Sequence, residues 1–235
     1  MNIFALSTDP VAAARMVCDV HSNKMCLESA QMMASVLRRH GATDEEFLAY
    51  NIVTKAGKPY GNAHPNHPCT LWAGETYGNW VWLAKHAREL LNQFYQRYGG
   101  QHACHGPIQN MRSLMRHMDA NAMQNASLED DSFFVNRKKT PFVMAMPDEF
   151  KREDGKEVLA YREYYRSKVF KNGKKPAWEK GAAMPSWYAQ ADMEIQERQA
   201  ALVERMRLWN TVLGWGDFDE NIDETQTDAT PEVTR

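Results

Sequence analysis

Apolar and polar positions follow a helical pattern along most of the chain. Apolar residues recur every three or four positions, and stretches that alternate with the period of a strand are nearly absent. Capping residues, prolines and glycines divide the pattern into segments. We predict helices over about residues 10–18, 19–39, 44–50, 69–98, 107–124, 154–170 and 186–213. The expected fold is a compact, multi-helix, all-α domain.

One predicted helix carries polar side chains inside its apolar face. At about 100° per residue, His21, Lys24 and Glu28 fall together with Gln31 within an arc of about 80° that has apolar residues on both sides. An amphipathic surface helix instead places its charges opposite its apolar stripe. A base, a cation and a carboxylate beside apolar surface favour shifted pKa values and catalysis. A buried salt-bridge network is the structural alternative.

A second cluster lies in a proline-rich loop before the longest predicted helix. His64 and His67 are presented near the start of that helix, where free N–H groups and partial positive charge suit a phosphate. A rigid loop with Thr70 as the N-cap is the alternative. Further along, Asn79 and Arg97 fall on roughly one side of the helix among aromatic residues. We include both as candidate DNA contacts, although aromatic residues at helical spacing more often belong to a core.

A third cluster combines rings and cations between residues 151 and 188. Residues 151–180 hold ten Lys or Arg residues against five Asp or Glu residues. This composition is typical of a surface that binds phosphates and stacks bases, and core packing with solvated charge is an alternative of about equal weight. The candidate DNA contacts in this cluster are Tyr161, Arg162, Tyr165, Lys168 and Trp187.

Charge distribution divides the chain into a domain and a tail. The formal net charge is −2, but residues 217–235 contain seven acidic residues against one arginine. That segment is poor in aromatic residues, which is typical of disorder. We therefore expect a helical domain over residues 1–216 and an acidic disordered tail over residues 217–235.

Several classes of function lack their sequence signals. The first residues do not read as a secretory signal, no stretch is apolar enough for a membrane span, and the four cysteines form no C-x-x-C pair. The histidines and cysteines of residues 64–69 and 102–105 match no regular zinc spacing. There is no P-loop, G-x-G-x-x-G or G-x-S-x-G motif. We expect a cytoplasmic protein without a metal or cofactor.

The clusters together resemble a known family. Asp19-x-His21, followed seven residues after the histidine by Glu28, resembles the first helix of the phage pyrimidine-dimer DNA glycosylase/endonuclease family. Bacterial members of that family carry Asp, Lys and Glu spaced like Asp19, Lys24 and Glu28. The chain also looks like small phage proteins that open with Met-Asn-Ile-Phe.

Two later motifs extend the resemblance in the same order. The run from His67-Pro68 to Trp72 is similar to a His-Pro-x-x-x-Trp motif of the relatives. The run from Pro185 to Tyr188 is similar to the C-terminal Pro-Thr-Trp-Tyr of the family. The resemblance covers most of residues 1–190, and the order of the motifs is more specific than any one of them.

The resemblance implies an enzyme that flips a damaged or modified base out of duplex DNA and acts at its glycosidic bond. In that family an N-terminal amine attacks the sugar carbon and forms a Schiff base, assisted by a glutamate. Carried over, Glu28 is the acid/base or the carboxylate that stabilises an oxocarbenium ion, and His21 contacts DNA or orients Glu28. Lys24 tunes Glu28 or binds phosphate, and Asp19 joins the catalytic set.

The chain departs from this family at its second residue. The family exposes a small second residue by losing its initiator Met, whereas Met is usually retained before a residue such as Asn2. The nucleophile is therefore open between the terminal amine, Lys24 and water, and Lys24 would serve only if it is buried.

Two other functions stay open from the sequence. One is a phage transferase that modifies an already altered pyrimidine, and the other is a non-catalytic DNA-binding or host-interaction protein. The expected partner is duplex DNA with a damaged or modified base, in the host cytoplasm if the protein is phage-encoded, and no membrane partner is expected. The recognised base and the oligomeric state are left open.

Overall fold

The computed structural model of the protein describes residues 1–125, 137–190, 201 and 203–208. Over these residues the prediction of a helical chain is confirmed, and the β pairing found there is a single isolated bridge between Val53 and Pro59. Residues 1–188 form one compact unit, and residues 189–235 belong to a second. The predicted acidic tail, residues 217–235, lies outside the described residues.

Among the described residues between 1 and 166, seven α-helices are defined. They are α1 (Pro10–Met16), α2 (Asp19–Arg39), α3 (Asp44–Ala49), α4 (Pro68–Glu75), α5 (Tyr77–Tyr98), α6 (His105–Asn125) and α7 (Glu157–Arg166), with a short 3-10 turn at Asp148–Phe150. Of the helix predicted over residues 186–213, residues 186–190, 201 and 203–208 are helical, and the others lie outside the described part of the chain.

The helix predicted over residues 69–98 is in fact two helices. Thr76 interrupts it with an extended backbone (φ −139°, ψ 155°), and its side chain accepts the N–H of Asn79 at 3.1 Å. A β-branched residue with a hydroxyl is a favourable N-cap, and this cap starts α5 in a new direction. The apolar pattern runs through the break, because both helices bury a face in the same core.

The structure defines the N-caps of α2 and α4. Cys18 is the N-cap of α2 and Asp19 is its first helical residue, so the Asp19 carboxylate makes other contacts. The N-cap of α4 is His67, not Thr70: its Nδ1 accepts the N–H of Cys69 at 3.1 Å, and Pro68 occupies the first helical position. Proline suits that position because its backbone lacks an N–H.

Helices α2 and α5 form the centre of the first unit. Helix α2 packs against α4, α5 and α6, and α5 packs against α1 as well. Most positions of α2 from residue 28 to residue 37 are buried, so the helix is covered nearly all round in this stretch. Its first half has an exposed face that includes Asn23, Lys24 and Leu27, and Leu27 is 46% exposed. The polar strip therefore crosses from the core to the surface.

The described helices and thiols define two further properties. No helix among the described residues has both the length and the low charge needed to cross a lipid bilayer. All four cysteines are free thiols and all are buried.

A buried imidazole makes stability depend on pH. His86 stacks on Trp82 with ring centroids 4.9 Å apart, and neither ring nitrogen has a hydrogen-bond partner among the described residues. Burial lowers the pKa of His86 from 6.5 to about 3. The unfolded chain therefore takes up a proton as the pH falls below 6.5, and the folded chain does not until about pH 3.

Because of His86, we expect the free energy of unfolding to fall by about 2 kcal/mol when the pH is lowered from neutral to about 5. His86→Phe keeps an aromatic ring against Trp82 and cannot be protonated, so the variant should lose less stability on acidification. Urea unfolding across this pH range measures the difference. His117→Gln, which removes an exposed histidine, should leave the pH dependence of the wild type. Equal pH slopes for His86→Phe and the wild type would contradict the expectation.

Candidate functional site

The start of the chain and the middle of α2 meet at the Glu28 carboxylate. The backbone N–H of Asn2 donates to Glu28 Oε2 at 2.9 Å, and the α-amine of Met1 lies 3.7 Å from the same oxygen. The ammonium of Lys24 lies 3.2 Å from Oε1. Glu28 is 9% exposed, so a nearly buried carboxylate is surrounded by three nitrogen donors, two of them charged.

The accessible surface of Met1 lies on its main chain and not on its side chain. The side chain is 2% exposed, whereas the residue as a whole is partly exposed. The Thr70 hydroxyl donates to the Met1 sulfur at 3.4 Å. The side chain thus anchors the first residue, with its amine beside Glu28.

The segment behind Met1 is held in one conformation. The side chain of Asn2 donates to the carbonyl of Ala145 at 2.8 Å and accepts the N–H of Phe4 at 2.9 Å. Phe4 has a positive φ of 38°, which is a strained backbone for a residue with a side chain. Its ring stacks on His21 with centroids 4.7 Å apart. These contacts position the amine before any ligand arrives.

His21 lies beneath this segment and not on the surface. Its Nδ1 is 2.6 Å from the hydroxyl of Tyr165, which accepts the N–H of Cys18 at 2.9 Å. Burial, followed by the charges of Lys24 and Lys168, lowers the pKa of His21 to about 3. The neutral ring pairs with the Tyr165 hydroxyl through Nδ1 and stacks on Phe4. His21 is therefore buried against Tyr165 and Phe4, and its expected role of contacting DNA or orienting Glu28 stays a prediction.

The contacts of Asp19 are with Arg97 and with the backbone near residue 180, and the catalytic role suggested by the sequence stays a prediction. Asp19 Oδ1 lies 3.3 Å from the Arg97 guanidinium, and its Oδ2 accepts the N–H groups of Glu179 and Lys180 at 2.7 and 3.1 Å. Arg97 also donates to the carbonyl of Val17 at 2.8 Å. The Asp19 carboxylate joins α2 to α5 and to the segment near residue 180, and it makes none of the contacts described for Glu28.

Several other candidate DNA contacts are used inside the protein. Asn79 bonds Thr140 through both its amide oxygen and its amide nitrogen, and Arg162 donates to the carbonyl of Leu6 at 2.9 Å. The buried members of the predicted set are Asn79, Arg97, Tyr161, Tyr165 and Trp187. Because these side chains have little or no surface to offer a nucleic acid, we exclude them from the candidate DNA contacts.

Five predicted side chains keep accessible surface, in addition to Lys24. Gln31, His67, Arg162 and Lys168 are partly exposed, and His64 is exposed. Burial lowers the pKa of His67, and the charge of the Met1 amine lowers it further, which locates this imidazole near the amine. Lys168 lies with its ammonium 5.5 Å from the centroid of the Phe4 ring. The structure therefore gathers part of each sequence cluster around the N-terminus.

Sequence reasoning missed the residues that hold the Met1 amine beside the Glu28 carboxylate. Met1, Asn2, Phe4 and Thr70 belong to the site, and Asn2 was interpreted only as a departure from the family. The available signal was the apolar run that follows Asn2, since an apolar chain start is expected to be buried.

Neither a metal site nor a similarity to a known protein assigns a function to these residues. Among the described residues, no group of three His, Cys, Asp or Glu side chains is arranged to hold a metal ion. Comparison of the chain with protein-family models, curated proteins and solved structures gives no match. An amine beside a carboxylate can attack an electrophilic carbon while the carboxylate takes up a proton or stabilises positive charge.

Proposed function

We propose that the protein is a DNA glycosylase-like enzyme that acts at the glycosidic carbon of a damaged or modified base flipped from duplex DNA. The observation that carries this proposal is the position of the Met1 amine, 3.7 Å from the Glu28 carboxylate. The pairing is the one that the resemblance to the pyrimidine-dimer glycosylases implies, with Met1 itself supplying the amine.

The reaction follows from these two groups. The Met1 nitrogen forms a bond to C1′ of the deoxyribose, and the bond from C1′ to the base breaks. The base leaves with the electron pair and takes up a proton from solvent, while Glu28 accepts the proton that the amine loses. The C1′–O4′ bond then breaks, O4′ takes up the proton held by Glu28, and the opened sugar forms a Schiff base at Met1. Glu28 also stabilises the positive charge that develops on the sugar.

The amine of Met1 is favoured over Lys24 as the nucleophile. The side chain of Lys24 is 61% exposed, so the burial that a nucleophilic lysine needs is absent. The backbone nitrogen of Asn2 is an amide that donates to Glu28 Oε2 at 2.9 Å, so the amine beside the carboxylate is that of Met1.

Borohydride trapping on duplex DNA that contains an abasic site tests the nucleophile. We expect a covalent adduct that peptide mapping assigns to Met1, after intact mass has established that Met1 is the first residue. A Gly-Ser extension before Met1 moves the amine away from Glu28 and should reduce the adduct at least tenfold. Lys24→Gln should retain it.

Two outcomes would contradict this assignment. An adduct at Lys24 would make the lysine the nucleophile, and base release from duplex DNA with a damaged or modified base, without an adduct, would indicate attack by water. A non-catalytic DNA-binding protein would give neither an adduct nor a released base.

A further inference from the structure

A cavity of about 660 Å³ adjoins the Glu28 site along the exposed face of α2. It shares Lys24 with that site, and Glu28 is not part of its wall. Its wall includes Lys24, Leu27, Gln31, Lys55, Tyr60 and His102. Its volume is within the usual range for small-molecule sites, about 300–1,000 Å³.

The charge of the lining is positive. Lys24 and Lys55 both contribute to the wall, and the lining contains no Asp or Glu. The pKa of His102 is lowered by burial and then by the charge of Lys55, so the ring is neutral and lies within reach of that charge. His102 Nε2 lies 3.2 Å from the Asn23 side-chain oxygen, and its Nδ1 accepts the N–H of Cys104 at 3.0 Å. This wall is fixed, and it favours an anion.

The rest of the lining suits a flat polar ring. Leu27 offers apolar surface to the cavity. The Tyr60 hydroxyl pairs with the Cys104 sulfur at 3.5 Å, so these two polar groups of the inner wall already have a partner. The Gln31 amide carries a donor and an acceptor at the same wall, which is the pair of groups that reads the edge of a nucleobase. The cavity therefore combines an apolar surface, one amide and two ammonium groups.

We infer that this cavity binds a phosphorylated nucleoside, with the base between Leu27 and Tyr60 near Gln31 and the phosphate held by Lys55 and Lys24. The inference deepens the proposed function and rests on it for the orientation of the nucleotide toward Glu28. The same chemistry is available from a nucleotide of the DNA or from a free nucleoside monophosphate.

Calorimetric titration of the full-length chain separates these sources. The ligands are thymidine 5′-monophosphate, thymidine, inorganic phosphate and a duplex oligonucleotide with an abasic site. Lys55→Gln removes one cavity charge without touching the Glu28 site. Lys58→Gln is the matched control, because Lys58 is exposed on the same loop and does not line the cavity.

Binding of the free nucleotide, weakened about tenfold by Lys55→Gln and unchanged by Lys58→Gln, supports a free nucleotide as the ligand. If only the duplex binds, Lys55→Gln should weaken the binding of the duplex. The number of phosphate contacts, read from the salt dependence of the affinity, should fall by about one more for Lys55→Gln than for Lys58→Gln. This result supports a nucleotide of the DNA as the ligand. Equal effects of the two variants, or thymidine binding as tightly as its phosphate, would overturn the inference. Failure of the proposed glycosylase would appear separately, as the absence of a trapped adduct with nucleotide binding retained.

Discussion

Glu28→Gln is expected to lower the rate of base release by about 10³-fold, within the range that general acid–base catalysis contributes, with the fold retained. Glutamine has nearly the same shape, and its side-chain oxygen can still accept the N–H of Asn2. It cannot accept the proton of the Met1 amine or stabilise positive charge on the sugar. The loss should therefore appear in single-turnover rates on duplex DNA, with unchanged circular dichroism.

Glu45→Gln is the matched control, because Glu45 is exposed in α3. This variant makes the same chemical change away from the site and should keep the wild-type rate. Full activity of Glu28→Gln would remove Glu28 from the mechanism. A lower melting temperature with unchanged DNA affinity, and no activity in the wild type, would support the structural salt-bridge network instead.

Asp19→Ala is expected to destabilise the protein by about 3–5 kcal/mol, the usual cost of removing one partner of a buried ion pair. The Arg97 guanidinium, whose side chain is buried, would lose its charged partner, and the N–H groups of Glu179 and Lys180 would lose their acceptor. Urea unfolding gives the free energy of unfolding. Activity per folded molecule should stay near that of the wild type.

Asp44→Ala provides the comparison for Asp19→Ala. Asp44 pairs with Arg38 at 2.6 Å but its side chain is 63% exposed, so its removal should cost no more than about 1 kcal/mol. If Asp19→Ala kept the stability of the wild type and lost activity, Asp19 would belong to the catalytic set that the sequence suggested.

The helices themselves were largely predictable. The apolar period of 3.6 residues and the capping signals located α2, α3 and α6 to within about two residues, which is the usual uncertainty of helix ends. The strip in α2 was identified correctly in part, since Glu28 and His21 are buried, whereas Lys24 is exposed and Gln31 is partly exposed. Periodicity reports which face of a helix is covered, and this information is local.

The tertiary structure decided which residues contact those helix faces. Contacts between Asn2 and Glu28, His21 and Tyr165, and Asp19 and Arg97 join residues 26, 144 and 78 positions apart. Helical spacing places Asp19, His21 and Glu28 on one element but does not state what packs against each. Folding gives them three different neighbours.

The sequence by itself determined that the described chain is helical and that α2 buries charged and polar groups. The tertiary structure alone decided that the first residue of the chain lies beside Glu28. It also decided that most of the aromatic and basic candidate DNA contacts pack or bond inside the protein. The physical reason is that hydrophobic periodicity specifies burial, whereas a site depends on the distances between groups far apart in sequence, which packing of the whole core sets.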